Sequence, residues 1–131
     1  MSMFGAFDVA GSGLRATRKW LDAVSDNIAN IDNVTRTSEN AFQARYVVAQ
    51  EAQDGNGAQV GGIAYGSAEG KLVYEPANPL ADSEGYVRYP DIDMGDQMVA
   101  LLMAQRGYQA NLAVVERATT AYQAALQLGK G

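Results

Sequence analysis

The chain has 131 residues, 47% of them apolar, and its 10 Lys+Arg against 15 Asp+Glu leave a net charge of −5. This composition excludes a fully disordered chain, and the acidic balance argues against nucleic acid as a partner, because binding there rests on cations that displace counterions from phosphates. Histidine and cysteine are both absent. Disulfides, thiolate chemistry, the usual zinc sites and imidazole acid–base work go with them, so no metal, cofactor or catalytic residue is expected.

The length fits one domain over residues 1–131. No basic residue precedes Arg15, and no apolar run of signal-peptide type follows the start. The longest uncharged runs, 55–68 and 118–129, are broken by Gly, Thr and Gln. Neither reads as a membrane span. The expectation is a chain without a cleaved signal.

Residues 5–31 are predicted as the first helix. Phe7, Leu14, Leu21 and Ile28 recur every seventh residue, and Ala10, Thr17, Val24 and Ile31 form the neighbouring line. On a helix these lines make one seam. Gly5, Gly11 and Gly13 weaken its first half, each by about 1 kcal/mol relative to Ala. Asn30, Asp32 and Asn33 supply stop chemistry, with short amides suited to a left-handed turn.

Residues 33–90 differ in kind. They hold Pro76, Pro79 and Pro90, the three prolines of the chain, and many glycines. Short strands are predicted at Ala44–Gln50, Gln59–Ala64 and Lys71–Tyr74, with Asp54-Gly55-Asn56-Gly57 as the turn between the first two. This zone reads as a small β hairpin or meander with long loops.

Residues 93–129 form the second predicted helix, with Asp93 as N-cap and Asp96 in its first turn. Its seam reads Met98, Leu101, Tyr108, Leu112, Val115, Tyr122 and Leu126, interrupted by Gln105 and Thr119, and Gly129 stops it. The fold expected is mainly α with a small β element, the two terminal helices pairing as a coiled coil. Joining them across the middle zone costs on the order of 3–4 kcal/mol in loop closure. Each large apolar side chain buried returns roughly 1.5–3 kcal/mol. The same stripes could equally dock on neighbouring chains, and the polar seam residues favour an interaction protein.

Other constellations have plainer readings. The carboxylates of Asp91, Asp93 and Asp96 lack the 12-residue series of a calcium loop and fit helix capping. Gly11-Ser12-Gly13 has no preceding strand and no following Lys, so it is not a phosphate loop.

Two segments carry a family resemblance. Ser25-Asp26-Asn27-Ile28-Ala29-Asn30-Ile31, followed by Thr35, resembles the NNIAN-x-x-T segment of bacterial flagellar rod, hook and related axial proteins. Arg106-Gly107-Tyr108-Gln109-Ala110-Asn111 resembles the R-A-Y-E-A-N segment of their C-terminal helix. The middle zone narrows this. Thr35-Arg36-Thr37, Tyr46-Val47-Val48, Tyr74-x-Pro76-x-Asn78-Pro79 and Gly85-Tyr86-Val87-x-x-Pro90 are similar to the C-type subunits of the proximal rod. Gly107 stands where Ala is usual, and Asn78 where His is common.

The resemblance implies a structural subunit of the basal-body proximal rod in the periplasm, which assembles through its terminal helices and transmits torque. It implies export by the flagellar type III apparatus without cleavage. It also implies three partners: other rod proteins, the adaptor at the membrane ring and the export gate. Alternatives are a cytosolic helical adaptor or export chaperone, a small enzyme using carboxylates or tyrosines and, within the family, the B-type proximal rod protein.

Overall fold

A chain with apolar heptads at both ends buries them most simply by folding its ends together. The computed structural model, which describes residues 3–130, shows this arrangement. Helix α1 (Met3–Ala29) is followed by strands β1 (Arg45–Glu51), β2 (Ala58–Tyr65), β3 (Lys71–Tyr74) and β4 (Tyr86–Tyr89), and α2 (Met94–Gly129) closes the chain. The fold is mainly helical with a small β element.

The helices run antiparallel. Asn27 meets Gln97 near the α2 start, Gly13 faces Asn111 further along, and Phe4 packs edge-on against Tyr122 with ring centroids 5.9 Å apart. At 1.5 Å per residue, the 36 residues of α2 span about 54 Å and the 27 of α1 about 40 Å. The last turns of α2 therefore overhang, and residues 121–130 are all exposed.

The end of α1 departs from the sequence expectation, whereas α2 ends at Gly129 as expected. Helix α1 stops at Ala29, which places Ile31 in the following turn. Among the described residues no non-glycine residue has a positive φ. Asn30 instead turns its side chain back, and Nδ2 donates to the Asp26 carbonyl at 2.8 Å. The turn beyond it closes through backbone bonds, Ile31 N–H to Ile28 O at 3.4 Å and Asn33 N–H to Asn30 O at 3.0 Å, which serve end carbonyls without a left-handed cap. At the other end Gly129 remains helical, and Lys130 N–H closes the last turn on the Gln127 carbonyl at 3.2 Å. The start of α2 is as expected: Asp93 Oδ1 accepts from Asp96 N–H at 2.8 Å.

The β zone is two separate two-stranded antiparallel sheets rather than one meander. Strands β1 and β2 pair from Arg45↔Tyr65 to Glu51↔Ala58, with a bulge at Val48/Ala49. The expected turn joins them, and Ala52 N–H donates to the Gly57 carbonyl at 3.0 Å. Strand β3 does not turn back onto β2, because the intervening chain is used elsewhere. Gly66 N–H donates to Ala44 O, and Ala41 N–H to Ala68 O, both at 2.8 Å. Strand β3 pairs instead with β4, unrecognised in the sequence, with Val73 opposite Val87. Thr35 bridges to Arg88 on the free edge of β4. Val87, at 0% exposure, is the centre of this small second core.

Candidate assembly surface

The inner face of the helix pair is built from small and polar residues. Ala10 and Val24 on α1, and Gln97 and Ala104 on α2, are buried. A Cβ on Gly13 would overlap the Asn111 amide, and one on Gly107 would lie 3.1 Å from the Thr17 methyl. These contacts put the α2 line Gln97, Ala104, Asn111 and Ala118 toward α1. Small residues permit this close approach of the two backbones.

The large side chains of the predicted α2 seam divide accordingly. Leu101, Tyr108 and Val115 are half-buried beside the inner line. Met98, Leu112 and Leu126 are exposed, Met98 by 52%, and this row lies one residue too far round the helix to form the inner contact, whereas Tyr122, exposed as well, continues the Leu101–Val115 line and packs against Phe4 of α1. A reading weighted by hydrophobicity selects the bulky row, whereas close packing selects the small row next to it. On α1, Phe7, Leu14, Leu21 and Ile28 are half-buried and Val24 is buried.

Val99, Leu102, Met103, Val114 and Leu128 are exposed as well. An apolar surface of this extent on a single chain marks an interaction face. Between α1 and the first hairpin lies a groove of about 600 Å³, lined by groups such as Val9, Ala16, Trp20, Val47 and Ala58, with no titratable side chain. Among the described residues no cluster of candidate metal ligands occurs, and no helix is long and apolar enough to cross a membrane.

The motif residues are structural. Asn27, at 1% exposure, joins three elements. Its Nδ2 donates to Arg45 O at 2.9 Å and to Gln97 Oε1 at 3.0 Å, while its Oδ1 accepts from Arg45 N–H at 2.8 Å. Arg45 also reaches Asp26 Oδ2 at 2.6 Å. Asn30 closes α1, and Thr35 exchanges backbone bonds of 2.8 and 2.9 Å with Arg88. Asn111 Nδ2 donates to Gly107 O at 2.9 Å, while Arg106 points to solvent.

The loop between β3 and β4 folds on itself. Asp82 Oδ1 accepts from Tyr86 and Glu84 N–H at 2.9 Å, and Oδ2 accepts from the Thr37 hydroxyl at 3.0 Å. The Tyr86 N–H, with help from Thr37 and Glu84, holds the Asp82 carboxyl below its usual range. Tyr89 donates its hydroxyl to Glu75 Oε1 at 2.9 Å, and that bond raises its pKa. Gly85 sits at φ +90°, packed under the Tyr74 ring, which meets Tyr86 edge-on. Pro90 is buried behind β4 and Pro79 is exposed. Asn78 accepts from Leu80 N–H at 2.9 Å through Oδ1, which is a turn role.

The sequence reading passed over Gln97 and Ala104, and it met Val87 only as part of a motif and not as a core residue. For the first two, a signal existed in the seven-residue spacing of Gln97, Ala104, Asn111 and Ala118.

Paired terminal helices with an outward apolar row and a self-bonded β excursion define an axial assembly protein, and comparison with known proteins agrees. Residues 7–36 match the family model for flagella basal body rod protein, and residues 83–128 match that for the flagellar basal body rod FlgEFG protein C-terminal region. The chain is 39% identical over 134 residues to flagellar basal-body rod protein FlgC of Salmonella typhimurium, covering 99% of this chain and 100% of that protein. It is 30% identical over 150 residues to FlgC of Bacillus subtilis, with 99% and 100% covered. FlgC of Borreliella burgdorferi is 29% identical over 153 residues, with both chains fully covered. The chain therefore belongs to the FlgC family of flagellar basal-body rod proteins. Its role is structural and not enzymatic.

Proposed function

We propose that this subunit enters the rod by burying the outward row of α2 against neighbouring rod proteins and transmits torque through those contacts. The observation that carries this is the exposure of Met98, Leu112 and Leu126 beside an inner contact already filled by small residues. Phe7, Leu14, Leu21, Ile28 and Tyr108, half-buried in the single chain, complete their burial in the same step. The adaptor at the membrane ring and the export gate are the further partners, and the rod in the periplasm is the site of action. Passage to it runs through the flagellar type III apparatus without cleavage, which an absence of cysteine suits.

Leu112→Asp tests the proposal. An unpaired carboxylate in a buried contact costs several kcal/mol. The variant is expected to fold and to be missing from isolated basal bodies. Normal incorporation would remove Leu112 from the assembly face.

A further inference from the structure

Charge is segregated along the helix pair. Residues 9–21 of α1 carry Arg15, Arg18 and Lys19 and no acidic residue. All three are exposed, and none forms an ion pair among the described residues. They flank two shallow depressions with partly apolar floors. One includes Leu14 and Tyr108, with Asp22 at its rim, and the other includes Ala58 and Val60.

The first turns of α2 are the converse. Residues 89–105 carry Asp91, Asp93 and Asp96 and no basic residue; Asp91 forms an exposed ion pair with Lys71 of β3 at 3.5 Å, and Asp93 and Asp96 form none among the described residues. Exposed Met94, Met98 and Val99 lie among and just beyond these carboxylates. The result is an acidic, apolar-sided helix head whose character complements the basic, apolar-floored stretch of α1.

Within one chain the two cannot meet. The basic stretch lies beside Gly107, through the Thr17 contact. Asp96 is roughly 16 Å away along the helix axis. We infer that the basic stretch of α1, centred on Arg15, Arg18 and Lys19, receives the acidic α2 head of a second copy of this chain. The two copies are then displaced along the helix axis by about that distance. Because different surfaces meet, the contact is head-to-tail and can propagate rather than close into a dimer. The inference rests on the proposed assembly through the helices and adds its partner and register. One native carboxylate, Asp22, faces the site against three cations, so an acidic partner is favoured and a basic one repelled.

The test uses the cysteine-free background. Lys19→Cys and Asp96→Cys are placed in one chain, and basal bodies containing it are isolated and oxidised. A disulfide needs Cα atoms within about 7 Å, so a bridge can form only between copies. Reducible dimers are expected at least tenfold above those from Lys19→Cys paired with Asp54→Cys at the hairpin tip. Adding Arg15→Glu and Arg18→Glu should lower the yield at least fivefold, and Asp91→Lys should restore part of it.

If the double-cysteine chain builds no rods, a zero-length carbodiimide link from Lys19 to Asp91, Asp93 or Asp96 of another copy, sought in unmodified basal bodies, decides the same contact. Dimer yields equal to the Asp54→Cys control, or no carbodiimide link, would overturn the inference. If Leu112→Asp still blocks incorporation in that case, assembly through α2 stands and only this contact falls. If Leu112→Asp enters rods normally while the 19–96 bridge forms, the contact stands and the outward-row reading falls.

Discussion

Asn27 and Gln97, 70 residues apart in sequence, share a buried hydrogen bond of 3.0 Å where the end of α1 meets the start of α2. Asn27 also holds both backbone groups of Arg45, so helix, strand and helix meet on one side-chain amide. Replacing Asn27 by Leu strands three partners at once, each worth about 1–3 kcal/mol when left buried and unsatisfied. Asn27→Leu is expected to cost roughly 2–4 kcal/mol in urea unfolding. Gln97→Leu should cost less, and the double variant should cost less than the sum of the two. Additive losses would show that the two side chains do not act together.

The approach of the helices at Gly13 gives a second expectation. Gly13→Leu puts a branched side chain where Asn111 already lies. Overpacking of this kind costs about 1–3 kcal/mol. The loss should appear in thermal unfolding of the purified chain. An unchanged midpoint would mean that the helices separate at that level without penalty.

Gly85 combines φ +90° with the Tyr74 ring occupying the space a Cβ would need. Gly85→Ala is expected to cost on the order of 1–3 kcal/mol, confined to the second sheet. Amide exchange should quicken across residues 75–89 and stay unchanged at the Asn27 junction. Equal loosening of both regions would contradict the separation of the two sheets.

Asp82 supplies a pH dependence. Its folded carboxyl is held below the usual range by the Tyr86 N–H and the Thr37 hydroxyl. The stabilisation is therefore present above the unfolded pKa and disappears as pH falls through the lowered folded value. Protection of the Tyr86 amide should fall in acid along that course, and Asp82→Asn should flatten the dependence. A flat profile in the unmodified chain would exclude this carboxylate as the loop's anchor.

Much of this fold was legible in the sequence because its strongest signals are local. Heptads marked both helices, Asp93 marked the α2 start, and Asp54-Gly55-Asn56-Gly57 marked the first hairpin. Strand β4 was hidden because Tyr86–Tyr89 has only four residues, ends at Pro90, and depends on pairing with β3 and Thr35. The inner α2 line was missed for a different reason. Ala104 gains from close backbone approach and not from its own hydrophobicity, so its burial follows from α1 rather than from α2. Asn27 was noticed through family likeness, whereas its role came from Arg45 and Gln97, distant in sequence.

The most direct test of assembly through the outward row of α2 is methionine oxidation in free chain and in isolated basal bodies. Met98, 52% exposed, lies in that row, and Met94, 43% exposed, stands one turn before it on the same side of α2. Peroxide converts exposed thioethers to sulfoxides, which mass spectrometry quantifies residue by residue. Burial against neighbouring rod proteins should slow oxidation of both at least tenfold in the assembled rod. Equal rates in the free and assembled chain would show that the row stays open to solvent and that other surfaces build the rod.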